Sequence, residues 1–370
     1  MMEDDERGVS AAENDPAIAA ESAFVTGDIA VAAALYEQLV KEYPENPRFL
    51  FNLGSCLSAL GRHAEAIDAY KAALLLNPLD ADILYYLGLS FLDCDMPEVA
   101  EKFLSYCLAV EPGYLRAHCQ LAHAACRLGK TEQAVASYRL ALNSESDRDI
   151  AGHMLSALCG RTTERAPDRY VRSLFDNYAG SFEKSLTGIG YDIPRQLRKL
   201  LDHRLERHRR FQNVVDLGCG TGLSGSAFSD LADKIIGVDL SAGMLEEASA
   251  KGIYHHLRQK DLIAYLLESS EIFDLFLLTD VLVYLGNLVP LFSAMAERAA
   301  PDALFLFSVE RGGEMTGYQL QATGRYAHSS QYIEEVATQN GLSVLVRQDT
   351  GIRKQDEEWI AGEIYILSLP

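Results

Sequence analysis

The chain has 370 residues, with 53 Asp and Glu against 33 Lys and Arg and a net charge of −20. That length argues for two domains, and an acid excess of this size disfavours nucleic acid as a partner. Seven cysteines without a CxxC spacing give neither a metal site nor a disulfide framework, and no run nears the ~18 apolar residues of a membrane span.

Residues 1–16 read as an acidic, disordered tail. Met1 to Asp15 lacks the apolar core of a signal peptide, so the expected location is the cytoplasm. From about residue 17 a period of 34 takes over. Gly27-Asp28, Gly61-Arg62, Asp95-Met96 and Gly129-Lys130 mark successive turns. Ala32, Ala66, Ala100 and Ala134 follow five positions on, then Tyr36, Tyr70, Leu104 and Tyr138. The small residues Ala20, Gly54, Gly88 and Ala122 keep the same step, and Pro44, Pro78 and Pro112 close the units. Each unit is then two antiparallel helices, packed closely at small residues, with an aromatic filling the gap and a proline ending the second helix. The pattern resembles tetratricopeptide repeats. It implies about four units and a capping helix over 17–160, forming an all-α superhelix. Its groove, with Asn52, Tyr86, Gln120 and His123 as candidate lining, would dock a protein or peptide partner, or organise a multimer.

A polar linker is expected over 161–169. A helical segment with Phe175, Tyr178 and Phe182 on it follows. Next come Arg195, Arg198, Lys199, Arg204, Arg207, Arg209 and Arg210, the one candidate basic face, which reads as solvated helix surface. The apolar run Val214-Val215 then ends in Asp216, and glycines follow at 218, 220 and 222. Glycine lets the backbone turn sharply after a buried strand and approach a ligand. A second run, Ile235-Ile236-Gly237-Val238, ends in Asp239-Leu240, where a carboxylate can accept from two ribose hydroxyls. An adenosine-containing cofactor is therefore expected.

Gly220-x-Gly222-x-x-Gly225 formally satisfies the nicotinamide dinucleotide fingerprint. Three details point elsewhere. Asp216 would repel a pyrophosphate and suits a cationic amino acid portion. Asp261-Leu262 falls at the end of a third strand, placing an acceptor for an adenine amino group. Phe273 to Thr279 is a fourth strand that runs into Asp280. Strands alternate with helices through a fifth strand, Ala303 to Val309, which ends at Glu310; a parallel sheet follows from this alternation. After the helix Ser329 to Asn340, two strands, Leu342 to Arg347 and Glu363 to Leu369, must pair antiparallel.

With Asp280-Val-Leu-Val-Tyr-Leu-Gly286, Phe307-Ser-Val-Glu310 and Gly324-Arg-Tyr-Ala-His-Ser329, residues 170–370 resemble class I S-adenosylmethionine-dependent methyltransferases. The whole chain is similar to bacterial proteins in which tetratricopeptide repeats precede such a domain. The resemblance implies a doubly wound α/β domain with a C-terminal antiparallel hairpin, S-adenosylmethionine as cofactor and no metal. It places Gly218, Gly220 and Gly222 beneath the methionine portion, Asp216 near its ammonium, Asp239 and Leu240 at the ribose, Asp261 and Leu262 at the adenine, and Asp280 with Tyr284 at the floor. Tyr178 and Phe182 would belong to a lid closing over the cofactor, which favours a small acceptor. For the acceptor side, His328 is the first candidate base because its pKa lies near working pH, Glu310 the second, and Arg325 a bidentate holder of carboxylate or phosphate. Arg353-Lys354 stands where the family carries an arginine, but Gln355-Asp356-Glu357-Glu358-Trp359 replaces the usual small turn.

Overall fold

A computed structural model describes residues 15–176, 180, 182–204, 210–313, 315–355 and 357–370. The chain forms two compact units that divide between Gly152 and His153.

The first unit is helical: α1 (Pro16–Thr26), α2 (Ile29–Glu42), α3 (Pro47–Ala59), α4 (His63–Leu76), α5 (Ala81–Asp93), α6 (Pro97–Val110), α7 (Leu115–Arg127) and α8 (Thr131–Ala141). The 34-residue code appears as packing. Tyr36, Tyr70, Leu104 and Tyr138 are buried, as are Ala32, Ala66, Ala100 and Ala134. A Cβ on Gly54 would lie 2.7 Å from the Tyr70 ring, and one on Gly88 would lie 2.7 Å from Leu104. These glycines set how closely the helices of a unit approach. The turn inside each unit uses a left-handed residue, Gly27, Gly61 or Gly129, with Asp95 adopting the same conformation at φ 61°. Helices α2, α4 and α6 end at Tyr43, Asn77 and Glu111, each directly before a proline, which disfavours the helical conformation in the residue it follows. Of the candidate groove residues, Asn52 donates to the Tyr36 hydroxyl at 3.0 Å, Tyr86 packs on Phe51, Tyr70 and Tyr85, Gln120 is half-buried and His123 is exposed. The helix expected as a cap, α9 (Arg148–Leu158), contains the division between the units.

The second unit is a nine-stranded sheet with helices around it. Its elements are α10 (Asp168–Phe175), α11 (Phe182–Gly188), α12 (Ile193–Asp202), β1 (Phe211–Leu217), α13 (Leu223–Phe228), β2 (Ala232–Asp239), α14 (Ala242–Ala250), β3 (His256–Gln259), α15 (Leu262–Glu268), β4 (Phe273–Leu278), α16 (Val289–Glu297), β5 (Ala299–Arg311), β6 (Tyr318–Leu320), β7 (Tyr326–His328), α17 (Ser330–Gln339), β8 (Ser343–Gln355) and β9 (Glu358–Ser368). Strands run β3-β2-β1-β4-β5 in parallel. β9 pairs antiparallel with β5, and β8 with β9. The continuous apolar runs follow from burial on both faces. Leu275, Leu277, Leu304 and Leu306 face one core, and Phe276, Leu278, Phe305 and Phe307 face the other, where Phe276 and Phe305 stack with centroids 4.6 Å apart.

Two expectations need correction here. Residues 161–167 are not a free linker. Arg165 bridges to Leu285, Ala166 N donates to Tyr284 O at 2.9 Å, and the amides of Gly286 and Asn287 donate to Glu164 O. This polar stretch adds an edge to the unit because its backbone finds partners there. The hairpin is also longer than expected, running eight residues past Arg347. Its outer half buries Ile352 and Arg353 against the domain, and so is held by tertiary packing that its polar sequence does not announce.

Candidate active site

The glycine loop leaves β1 with φ of 74° at Gly218, 52° at Gly220 and 91° at Gly222, a backbone region that side chains disfavour. Gly218 and Cys219 both donate to Val238 O, at 2.7 and 3.0 Å, which locks the loop across β2. A Cβ on Gly218 would sit 2.4 Å from Val281. The loop opens onto a cleft of about 980 Å³ at the carboxyl ends of β1, β2 and β4, the place where open α/β sheets bind ligands.

Asp239 lines this cleft. Its two oxygens accept from Gly220 N at 2.8 Å and Ser241 N at 2.9 Å, so the carboxylate is held rigidly by backbone. Burial raises its pKa. Leu240, Asp261 and Leu262 share the wall. Asp261 caps α15 by accepting from Ala264 N at 3.0 Å, and its other oxygen accepts from Arg165 at 2.7 Å. Leu262 opens α15, so its amide has no intrahelical carbonyl. The residues fit S-adenosylmethionine. Glycines leave the loop without side chains over the floor, a fixed acid ends β2, and a free amide stands beside apolar Leu240, Leu262 and Val281.

Asp216 corrects the expectation made for it. It is 1% exposed and absent from the cleft wall. Strand alternation sends it to the same face as Val214, where Oδ2 accepts from Gly225 N at 3.0 Å and the Tyr254 hydroxyl at 2.6 Å. Oδ1 is buried without a hydrogen-bond partner among the described residues, and burial pushes the carboxyl up to about 7. It braces the loop from behind. Gly222 also stands behind, capping α13 against Tyr254.

α10 and α11, the segments expected to form a lid, supply apolar side chains to the cleft. Val171, Phe175, Phe182 and Leu186 line the cleft, with Phe175 edge-on to both Phe182 and Tyr284. Tyr178 lies outside the described residues. Two acids missed at the sequence level tie these segments down. Glu183 accepts from Thr221 at 2.8 Å and Lys251 at 2.5 Å, and Asp176 accepts from Ser241 at 2.6 Å. Glu183 stands in no motif, so no local signal could have found it.

Asp280 and Tyr284 form the far wall. Asp280 has φ 58°, a conformation that costs of order 1–3 kcal/mol for a residue with a side chain, and its amide donates to Ser308 Oγ at 2.9 Å. Burial raises its pKa. Arg353, from β8, donates to Asp280 at 3.4 Å and to Glu310 at 2.6 Å, and Arg325 reaches Glu310 at 3.3 Å. Glu310 and Arg325 therefore belong to an ionic cluster next to the cleft. Tyr191, also missed, lines the cleft and hydrogen-bonds Thr279. It sits on a turn held by Lys354 N donating to Ile189 O at 2.8 Å, with Trp359 packed over Gly190.

His328 corrects a second expectation. It is fully buried on β7, Nε2 is 2.8 Å from Leu285 O, and Nδ1 has no hydrogen-bond partner among the described residues. Burial pulls its pKa down to about 4. It packs against Tyr332 and Tyr318, away from the cleft-lining residues, and cannot serve an acceptor there as base. On the basic face before β1, Arg198 binds Asp202 and Asp230 and Arg210 binds Asp233, while Arg207 and Arg209 lie outside the described residues.

Comparison with known proteins adds to this picture. Tetratricopeptide repeat models match residues 19–74, 58–93 and 115–148, and a methyltransferase domain model matches residues 189–345. The chain is 33% identical over 111 residues, 30% of its length, to BBSome complex member BBS4 of Xenopus tropicalis. It is 26% identical over 136 residues, 36% of its length, to malonyl-[acyl-carrier protein] O-methyltransferase of Salmonella typhimurium. These stretches span 22% and 54% of the two relatives' own lengths. The magnesium protoporphyrin IX methyltransferase of Synechocystis, solved with S-adenosyl-l-homocysteine, superposes over 55% of this chain and 100% of its own, at 17% identity and a TM-score of 0.43. The chain thus joins regions that match tetratricopeptide repeat models to one that matches a methyltransferase domain model.

Proposed function

We propose that the chain is a cytoplasmic methyltransferase acting on a small molecule, with the repeats as a docking or oligomerising module. The observation that favours a small acceptor is the apolar wall that Val171, Phe175, Phe182 and Leu186 give the cleft, with Asp176 and Glu183 fastening their segments to Ser241 and Thr221. Such a wall suits a small acceptor better than a polypeptide chain. Among the described residues no helix is long and apolar enough to cross a membrane.

When bound, the cofactor supplies an electrophilic methyl group on a cationic sulfur. Asp239 would hold the ribose hydroxyls, Leu262 N an adenine nitrogen, and the glycine loop the methionine portion. Phe175 and Phe182 exclude water, which orients the acceptor and suppresses hydrolysis. Asp280, an acid that lines the far wall, would take any proton that the acceptor must lose. The fused repeats favour a second reading, in which they recruit a protein substrate to the same site.

Calorimetric titration of S-adenosylmethionine and, separately, NAD into the full chain tests the first step, with Asp239→Ala as control. Binding of the methyl donor alone, lost in the variant, is expected. Binding of NAD alone would overturn the reading.

A further inference from the structure

Arg325 stands directly behind the Tyr284 side of the cleft rather than in its lining, and among the described residues it keeps unspent donors. Its contact to Glu310 Oε1 is 3.3 Å, and the same oxygen already takes the 2.6 Å bond from Arg353. Its guanidinium lies 5.9 Å from the centre of the Tyr284 ring, and Tyr284 with Asp280 lines the cleft. The neighbouring cations are committed. Arg165 donates to Asp168 at 2.6 Å and Asp261 at 2.7 Å. Lys260 pairs with Glu268. Arg353 spans two carboxylates with 8% of its side chain exposed, whereas Arg325 keeps 25%. A guanidinium has five N–H donors in a fork that matches a carboxylate, and among the described residues Arg325 uses one, at the long limit.

We propose that Arg325 is the acceptor-binding residue and that the acceptor carries a carboxylate, held by this fork against Tyr284. The inference rests on the methyltransferase reading above. A phosphate fits less well because a second negative charge would stand beside Asp280 and Glu310, whose charges Arg353 and Arg325 together only balance. A cationic amine fits less well because Arg353 already covers Asp280.

The test is calorimetry on the full chain saturated with S-adenosylhomocysteine. Benzoate, hexanoate and octanoate are each titrated against the matching primary amide, with phenyl phosphate as a further arm. Carboxylates should bind about tenfold or more tighter than their amides, as expected for a hydrogen-bonded charge. Arg325→Gln should erase that preference and Arg325→Lys should keep part of it, both with wild-type affinity for S-adenosylhomocysteine as proof of folding. Failure of S-adenosylhomocysteine to bind would sink the methyltransferase reading and this inference with it. If it binds, equal affinity for acids and amides, an unchanged preference in Arg325→Gln, or tighter binding of phenyl phosphate than benzoate each overturns the carboxylate alone.

Discussion

The two units bury apolar surface at different ranges along the chain. In the repeats, decisive contacts stay within one unit, as in Gly54 against Tyr70 or Gly88 against Leu104. In the second unit the contacts that shape the cleft join residues far apart: Arg165 to Asp261 across 96 positions, Arg353 to Asp280 across 73 and Arg353 to Glu310 across 43. A repeat array behaves as a sum of local units, so damage there should stay local. A site assembled from distant strands should lose several functions together.

The sharpest test of this contrast is Gly218→Ala. The added Cβ meets Val281 in a backbone conformation alanine disfavours, so affinity for S-adenosylhomocysteine should fall on the order of 100-fold while circular dichroism keeps its native helix content. Undiminished affinity would remove the loop from the cofactor site.

Next in size is Arg353→Met. It leaves Glu310, which is 6% exposed, with the 3.3 Å contact to Arg325 in place of the 2.6 Å bond, and leaves Asp280 with one guanidinium fewer. Breaking a buried pair costs about 3–5 kcal/mol. Urea unfolding should show that loss in the transition of the second unit alone. An equal loss in the repeats would break the comparison.

Gly88→Val should cost about 1–3 kcal/mol by overpacking against Leu104, in the repeat transition only. A calorimetric titration in which this variant also loses cofactor affinity would show that the units are not energetically separate.

The smallest net effect is the pH dependence of the unsubstituted chain, where two shifts oppose. The His328 pKa falls from 6.5 to about 4 in the folded chain, so the unfolded chain binds more protons between those values and stability rises with pH there. The Asp216 pKa rises from 3.8 to about 7, so the folded chain binds more protons and stability falls as pH rises through that window. The two slopes oppose. His328→Gln should expose the falling slope, and Asp216→Asn the rising one up to about pH 6.5. Urea midpoints from pH 4 to 8 check both, and unchanged slopes would mean that neither group titrates as its burial implies.

The cleft was legible where chemistry sits in a contiguous string. Gly218, Gly220, Asp239 and Leu262 stand within a few residues of a strand end, and the parallel sheet gathers strand ends automatically. Asp216 was misread because its motif position suggests contact with ligand, while strand alternation turns it toward Tyr254. His328 was misread because a pKa near neutrality says nothing about burial, and β7 places it under Tyr318 and Tyr332. Arg353 stood where the resemblance places an arginine, but nothing local named Asp280 and Glu310 as its partners; Tyr191 and Glu183 carried no motif at all.

The sequence by itself determined the repeat architecture and the cofactor half of the cleft, because a 34-residue period and a strand–glycine–helix turn are written in neighbouring residues. Only the tertiary structure decided the side of the cleft around Asp280. There Asp280, Glu310, Arg325 and Arg353 are set against one another by strand order and by the reach of a long hairpin, and neither propensity nor periodicity in a local segment encodes which charges will meet.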